Sequence, residues 1–317
     1  MIDSPVQIEK RRRVERMIEI RNVHKSYDDK EVLRGITFDI HKGEIHGLIG
    51  ENSAGKTTLI KCLVGIYRAD EGEILYDDKP VFDNPEVKQN IGYVADYNVY
   101  LRGYTVKRMV RLYQTMYPKF SKKKFEELGR LFGIDQRSLI QTLSKGTTTK
   151  LAFMFAISSG AEYLILDEPT SGLDVASRRS LLDVLVSEME TRNLAVLISS
   201  HNLEGLEKIC DRATLVKDGS VLTTEDMDQM RQTFVKVQAV FENGAPKEFY
   251  DQRDFLERSN VGSIYTVVSA RSFDALNSAL TQMGASLVEQ LPVSLEDTFL
   301  LANKAGIPAD GTDTDSR

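Results

Sequence analysis

Four separated stretches of the chain carry residues whose types and spacing suit one nucleotide-hydrolysing site. They are Gly50-Glu-Asn-Ser-Ala-Gly-Lys-Thr57, Leu143-Ser-Lys-Gly146, Leu164-Ile-Leu-Asp-Glu-Pro169 and Ile198-Ser-Ser-His201. The first matches the pattern G-x-x-x-x-G-K-T, whose backbone N–H groups wrap phosphates at the N-terminus of a helix. A lone match is good evidence, and the four in this order indicate a nucleotide-hydrolysing site.

The side chains of the phosphate loop have different predicted roles. The ammonium of Lys56 can lie between the β and γ phosphates, and the hydroxyl of Thr57 can coordinate the Mg²⁺ that bridges them. Ser53 stands where many such loops have glycine, so we expect a slightly tighter loop. The alternative, a glycine-bearing turn with an incidental lysine, is disfavoured by the strand and helix patterns on either side. The predicted nucleotide contacts are Asn52, Ser53, Ala54, Gly55, Lys56, Thr57 and Thr58.

Two adjacent carboxylates follow an apolar run at 164–166. Such a run predicts a central strand, which places Asp167 at the carboxyl edge of the sheet, where ligands of open α/β sheets bind. Asp167 is therefore predicted to face the metal. Successive side chains on a strand diverge, so Glu168 points elsewhere and is predicted to be the general base that orients a water molecule. The alternative is an ordinary acidic end of a strand.

Two further polar residues stand at the ends of predicted elements. His201 terminates the apolar strand candidate 194–199, which predicts an imidazole near the γ-phosphate and a catalytic role; a buried structural histidine is the alternative. Ser144 precedes the helical run 147–157. Its hydroxyl and the free backbone amides predict a second helix N-terminus fit for an anion, although such a residue taken alone is merely an N-cap.

The remaining pattern predicts an α/β fold around a parallel sheet. Apolar runs typical of buried strands lie at 17–23, 36–40, 44–49, 163–167 and 194–199. Helical periodicity covers 55–65 and 176–191, as crossover helices require. Between 97 and 159 the strand signals vanish, and helical patterns at 107–116, 122–132 and 147–157 predict an inserted helical subdomain.

The periodicity changes again after residue 219. Strands are predicted at 233–241, 263–270 and 285–291, and helices at 272–283 and 294–302. We therefore predict a nucleotide-hydrolysing α/β domain at 17–226 and a small α+β domain at 227–303. A basic tail is predicted at 1–16 and a disordered, polar tail at 304–317.

Composition narrows the classes of function. The 317 residues carry a net charge of −6, without the broad basic face of a nucleic-acid binder, so no nucleic-acid partner is expected. Cys62 and Cys210 make no disulfide framework, which favours a reducing cytosol. No run approaches the roughly 20 apolar residues of a membrane span. The basic residues at 10–16 are interpreted as a solvated tail, with attraction to anionic lipid as the alternative.

Taken together with Ser171-Gly-Leu-Asp174, these motifs resemble the nucleotide-binding subunit of ATP-binding cassette (ABC) transporters, over about residues 17–224. The resemblance implies a P-loop NTPase fold of the ABC type that uses ATP and Mg²⁺. It implies a head-to-tail dimer in which Ser144, Lys145 and Gly146 of one subunit cap the γ-phosphate bound by the other, with Asp174 acting across the interface. It also implies that Tyr27 stacks on adenine; a packing role is the alternative.

Three positions, in two motifs, depart from the family pattern. Lys145 and Thr147 replace a glycine and a glutamine in the signature, and Asp96 stands where a glutamine is common. The carboxylate of Asp96 can reach Mg²⁺ directly or through water, or can repel the phosphates. The aromatic and apolar run 97–104 borders, in the family, the groove that receives a cytoplasmic helix of a membrane subunit. Packing inside the helical subdomain explains this run nearly as well.

The resemblance implies an ATPase subunit at the cytoplasmic face of the membrane, working with a second ATPase subunit and with transmembrane permease subunits on other chains. The variants at 92–96, 143–146 and 293–299 are most similar to exporter subunits, some of which move antimicrobial or toxic peptides. One alternative is a soluble ABC-type ATPase acting on ribosomes or DNA. Another is a small-molecule phosphotransferase, which gives no role to 143–146. The small C-terminal domain either regulates or stabilises the dimer, or covers an edge of the sheet.

Overall fold

The computed structural model describes residues 16–98, 100–201, 206–227 and 234–291. These residues divide into two compact units, of which the second begins at Glu225 and also includes 206–208. All of the predicted tail 1–16 except Arg16, the predicted tail 304–317, the predicted helix 294–302 and the motif 293–299 lie outside the described residues. Within the described ranges, no helix is long and apolar enough to cross a membrane.

The first unit is built around a six-stranded sheet. Its order is β10-β9-β3-β8-β7-β6, and the pairs β3/β8, β3/β9, β7/β8 and β6/β7 are parallel. Every residue of β3, β7 and β8 is buried, which is why the sequence shows these strands as continuous apolar runs. The bounds are β3 Ile45–Ile49, β6 Ile91–Val94, β7 Tyr163–Leu166, β8 Ala195–Ser200, β9 Arg212–Lys217 and β10 Ser220–Asp226.

A second sheet of the same unit is antiparallel, in the order β2-β1-β4-β5. Its buried face and helix α1 form one hydrophobic core, to which Ile20, Ile36 and Leu59 contribute. The bounds are β1 Arg16–Tyr27, β2 Lys30–His41, β4 Glu71–Tyr76, β5 Lys79–Pro80, α1 Lys56–Leu63 and α2 Pro85–Lys88.

Helices occupy the described part of 97–159, as the sequence predicts. They are α3 Val106–Met116, α4 Lys122–Phe132, a 3₁₀ turn Ile140–Thr142 and α5 Lys145–Ser158. Hydroxyl side chains cap all three α-helices, and Ser144 caps α5 by accepting the Thr147 N–H at 3.2 Å. Because of this cap, α5 begins two residues earlier than the predicted 147. Helix α6, Val175–Thr191, follows β7 and crosses over to β8.

The second unit has a β-α-β-β-α-β order with a four-stranded antiparallel sheet, β12-β13-β11-β14. The predicted alternation in 233–241 is confirmed, since Val237, Ala239 and Phe241 are buried in its core. Strand β12 was not predicted because its residues are mostly polar and exposed at the edge of the sheet. The bounds are β11 Val235–Val240, α7 Lys247–Tyr250, β12 Phe255–Val261, β13 Ile264–Ser269, α8 Phe273–Gln282 and β14 Leu287–Leu291.

Candidate active site

The phosphate loop connects β3 to α1 and is held by close backbone contacts. A Cβ on Gly50 would lie 2.3 Å from the Val216 carbonyl oxygen, so no side chain fits there. Gly55 has φ 104°, in the region that favours glycine. Ser53 has φ 73°, the conformation that glycine adopts without a steric penalty. The serine therefore adds backbone strain of about 1–2 kcal/mol at this position.

The ammonium group of Lys56 is buried in this loop. It donates hydrogen bonds to the carbonyl oxygens of Gly50 at 2.6 Å and Glu51 at 3.1 Å, and lies 3.7 Å from Oε1 of Glu168. Burial lowers the pKa of Lys56, while the charges of Glu168 and Asp167 oppose that change. The loop lysine and both carboxylates thus meet at one edge of the sheet, as the motif spacing predicted.

The two adjacent carboxylates point to different partners. Asp167 follows β7, is 1% exposed and accepts a hydrogen bond on Oδ1 from the Ser199 hydroxyl at 2.7 Å. The backbone of Glu168 takes φ 48°, and its Oε2 accepts a hydrogen bond from Nδ1 of His201 at 2.9 Å. Burial raises the pKa of Asp167, and the hydroxyls of Ser199 and Thr57 partly offset the increase.

Oxygen atoms at this edge fit a magnesium ion. Oδ2 of Asp167 is buried and has no hydrogen-bond partner within the described residues. Thr57 lies beside the same carboxylate, and the charge of Asp96 is close enough to raise the pKa of Asp167 further. Hard cations such as Mg²⁺ take carboxylate and hydroxyl oxygens as ligands. An unpartnered buried carboxylate oxygen next to a hydroxyl is consistent with such a site.

His201 lies directly after β8, the strand that neighbours β7 in the sheet. Its side chain is 51% exposed, whereas the side chain of its partner Glu168 is 12% exposed. The alternative of a buried structural histidine therefore does not describe this residue. An exposed imidazole hydrogen-bonded to a partly buried carboxylate can orient that carboxylate and exchange protons with solvent.

A cavity of about 450 Å³ lies over the phosphate loop. Most of the predicted site residues line it, namely Asn52, Ser53, Gly55, Lys56, Thr57, Thr58, Asp96, Lys145, Glu168 and His201. The sequence reasoning missed four further lining residues, which are Lys30, Val32, Glu51 and Ser171. The predicted residues Tyr27, Ala54, Ser144, Gly146, Asp167 and Asp174 are not among those that line the cavity. Ala54 and Asp167 are buried beneath it.

The signature segment leads into α5. The hydroxyl of Ser144 contacts that of Thr147 at 2.9 Å, and Lys145 donates to Oδ1 of Asp96 at 2.9 Å. A Cβ on Gly146 would lie 3.1 Å from Leu173 Cδ2, which explains why a residue without a side chain suits this helical turn. Two departures from the family pattern, Asp96 and Lys145, therefore form one ion pair within the chain.

Two further predicted contacts have local partners in this chain. Asp174 caps α6, because its Oδ1 accepts the Ser177 N–H at 2.8 Å, and this bond lowers the pKa of Asp174. Tyr27 is 40% exposed, and its ring meets the Tyr67 ring edge-on at 5.9 Å. Tyr27 therefore makes a packing contact while part of its surface stays exposed.

The run of aromatic and apolar residues near residue 97 is partly packed and partly exposed. Tyr100 packs toward Phe155 of α5, with ring centroids 6.2 Å apart, as a core residue of the helical segment does. Tyr97 and Leu101 are 78% and 52% exposed and line a second cavity of about 520 Å³. Val99 lies outside the described residues.

One residue that the sequence reasoning left without a role is Ser199. It is buried in β8 and contacts both Asp167 and the backbone of Glu168. The available signal was a pair of serines, Ser199 and Ser200, at the end of an apolar, buried strand and directly before the predicted catalytic His201.

Known proteins are similar to this chain in sequence and in fold. A family model described as ABC transporter matches residues 33–171. The ABC transporter ATP-binding protein YtrB of Bacillus subtilis is 33% identical over 285 residues, which cover 90% of this chain and 97% of YtrB. The galactose/methyl galactoside import ATP-binding protein MglA of Clostridium tetani is 31% identical over 66% of this chain and 44% of MglA. A solved ATP-binding subunit of an ABC transporter covers 68% of this chain and 92% of its own, with a TM-score of 0.63 and 27% identity.

A P-loop ATPase of the ABC type is the class that the sheet order, the phosphate loop and the paired carboxylates define. The similarity to YtrB extends over nearly the whole length of both proteins. The chain belongs to the ATP-binding proteins of ABC transporters. It binds and hydrolyses ATP, and ATPase domains of this family dimerise and work with transmembrane subunits.

Proposed function

We propose that this chain is the ATP-hydrolysing subunit of an ABC exporter whose membrane-spanning subunits are separate chains. It would act at the cytoplasmic face of the membrane as one half of a nucleotide-sandwich dimer. The observation that carries the catalytic part is the juxtaposition of Lys56, Asp167, Glu168 and His201 at the carboxyl edge of β7 and β8.

Each of these residues has a task that its contacts support. Lys56 binds the terminal phosphates, and Glu168 accepts a proton from the attacking water as general base. His201 holds Oε2 of Glu168 through its Nδ1–H. Asp167, Thr57 and Asp96 would hold Mg²⁺, which supplies charge neutralisation of the phosphates when bound.

The position of the signature segment 143–146 supports a nucleotide site that is completed by a second subunit. Ser144 and Gly146 stand at the N-terminus of α5, where backbone N–H groups favour an anion, yet neither lines the phosphate-loop cavity of its own chain. Asp174 likewise does not line that cavity. We propose that these residues and Lys145 contact nucleotide bound to the other subunit, either an identical copy or a related chain.

Complementation tests this arrangement. Lys56→Ala and Ser144→Arg proteins, each purified separately, should have little ATPase activity because each lacks one half of every site. Mixing them should restore partial turnover, since a mixed dimer contains one site with an intact Lys56 and an intact Ser144. If the mixture stays inactive and ATP does not change the mass of the wild-type particle, the shared-site arrangement is wrong.

Export is the direction favoured by the motif variants Lys145 and Asp96, and peptides are the cargo proposed by the same resemblance. The family also includes importers such as MglA, so the direction needs its own test. The protein should be purified from detergent-solubilised membranes, its partners identified and the complex reconstituted in vesicles with ATP outside. Cargo should then enter the vesicle lumen. Release of preloaded cargo would show import, and recovery with polysomes would favour the ribosome-acting alternative.

A further inference from the structure

A single buried hydroxyl, that of Ser199, joins the two carboxylates of the active site. Ser199 lies in β8, and 1% of its surface is exposed. Its Oγ donates a hydrogen bond to Oδ1 of Asp167 at 2.7 Å and accepts one from the backbone N–H of Glu168 at 2.9 Å. The hydroxyl thus uses its donor and an acceptor lone pair on two consecutive residues that follow the neighbouring strand β7.

These two bonds have different consequences. The bond to Asp167 occupies Oδ1 and leaves Oδ2 as the buried oxygen that has no partner in the described part of the chain. The bond to Glu168 holds the backbone N–H of a residue whose φ of 48° is unfavourable for any residue other than glycine. That backbone turn directs the Glu168 side chain to His201 instead of along the strand.

We propose that Ser199 is a positioning residue for ATP hydrolysis, which orients Asp167 toward the magnesium ion and holds the backbone turn that presents Glu168. This inference rests on the proposed roles of Asp167 and Glu168. Groups that hydrogen-bond a metal-ligating carboxylate fix its orientation, and their removal commonly weakens metal affinity or activity by about 10-fold to 100-fold. Ser199 acts through its hydrogen bonds to Asp167 and Glu168, which makes it a positioning residue and not a catalytic one.

The test measures magnesium dependence in the full-length protein. Binding of a fluorescent ATP analogue would be titrated with Mg²⁺, and separately measured in excess chelator, for wild type, Ser199→Ala and Ser199→Thr. We expect Ser199→Ala to raise the half-saturating Mg²⁺ concentration about 10-fold to 100-fold. Binding in chelator should stay within about twofold of wild type, because Lys56 and the phosphate loop are unchanged. Ser199→Thr keeps the hydroxyl and should restore the wild-type magnesium dependence.

Ser158→Ala is the matched control, since this hydroxyl is also 1% exposed but has no hydrogen-bond partner within the described residues. It should leave magnesium dependence unchanged. A folded Ser199→Ala protein with wild-type magnesium dependence would overturn the inference. An equal loss of binding in chelator would also overturn it, because Ser199 would then support the loop and not the carboxylates. Unchanged turnover in Glu168→Gln would instead refute the proposed role of Glu168 as general base.

Discussion

Replacement of Glu168 by glutamine tests whether its carboxylate accepts a proton during hydrolysis. The amide keeps the size of the side chain and an oxygen that can accept the Nδ1–H of His201, which lies 2.9 Å from Oε2. It removes the negative charge that lies 3.7 Å from the ammonium of Lys56, in a pair whose side chains are 7% and 12% exposed. The fold should therefore persist while the group that accepts a proton is lost.

The expected size of the effect follows from the role. Loss of a general base lowers turnover by about 10²-fold to 10⁴-fold, which corresponds to about 2.7–5.4 kcal/mol of activation free energy. ATP affinity should be retained or increased, because the carboxylate of Glu168 no longer opposes an incoming phosphate near Lys56. Slow hydrolysis with tight binding should trap a nucleotide-bridged dimer.

Phosphate release under saturating ATP measures turnover, and light scattering measures the mass of the particle with and without ATP. Glu162→Gln is the control, because Glu162 precedes the same strand β7 at its other end and makes a half-exposed pair with Lys119. It should behave as wild type. If Glu168→Gln hydrolyses ATP at the wild-type rate, Glu168 is not the general base and the reasoning from this edge of the sheet fails.

Three further predictions concern the scaffold and are measured by chemical denaturation. Gly219→Ala should lower the free energy of unfolding by about 2–4 kcal/mol, because the added Cβ would lie 2.3 Å from a backbone oxygen of β2. The control is Gly133→Ala, which also has positive φ but has open space for a Cβ, and it should lower the free energy of unfolding by about 1 kcal/mol. Equal losses would contradict the role of the clash. Glu188→Ala should cost about 1–3 kcal/mol, because this buried carboxylate pairs with two cations, and the exposed Glu190→Ala should cost almost nothing. Burial lowers the pKa of His46 in the folded protein, so the unfolded chain binds more protons at acidic pH. The free energy of unfolding should therefore decrease as the pH is lowered below about 6.5, and this histidine contributes at most about 1.4 kcal/mol per pH unit. His46→Gln should reduce that slope, and an unchanged slope would assign it to other groups.

The chemistry-bearing residues were predictable because their motifs are local. A turn between a strand and a helix with the spacing of Gly50, Gly55 and Lys56 has few uses besides phosphate binding. The apolar runs ending at Asp167 and His201 likewise predicted that both residues follow buried strands. The structure confirms both strands and places them side by side.

Elements with weak local signals were missed. Strand β12 is polar and lies at the edge of its sheet, so neither alternation nor an apolar run marks it. The start of α5 was placed too late because the cap at Ser144 acts on the backbone three residues ahead, which periodicity does not show.

The amino-acid sequence by itself was enough to predict which side chains would bind and hydrolyse the nucleotide and which strands carry them, because short-range spacing sets the geometry of a loop or a strand end. Only the tertiary structure decided which groups those side chains meet. Ser199 contacts Asp167 across 32 positions of sequence, and Lys145 pairs with Asp96 across 49. Such contacts depend on the order of the parallel strands and on the packing of α5. Neither can be predicted from the spacing of residues along the chain.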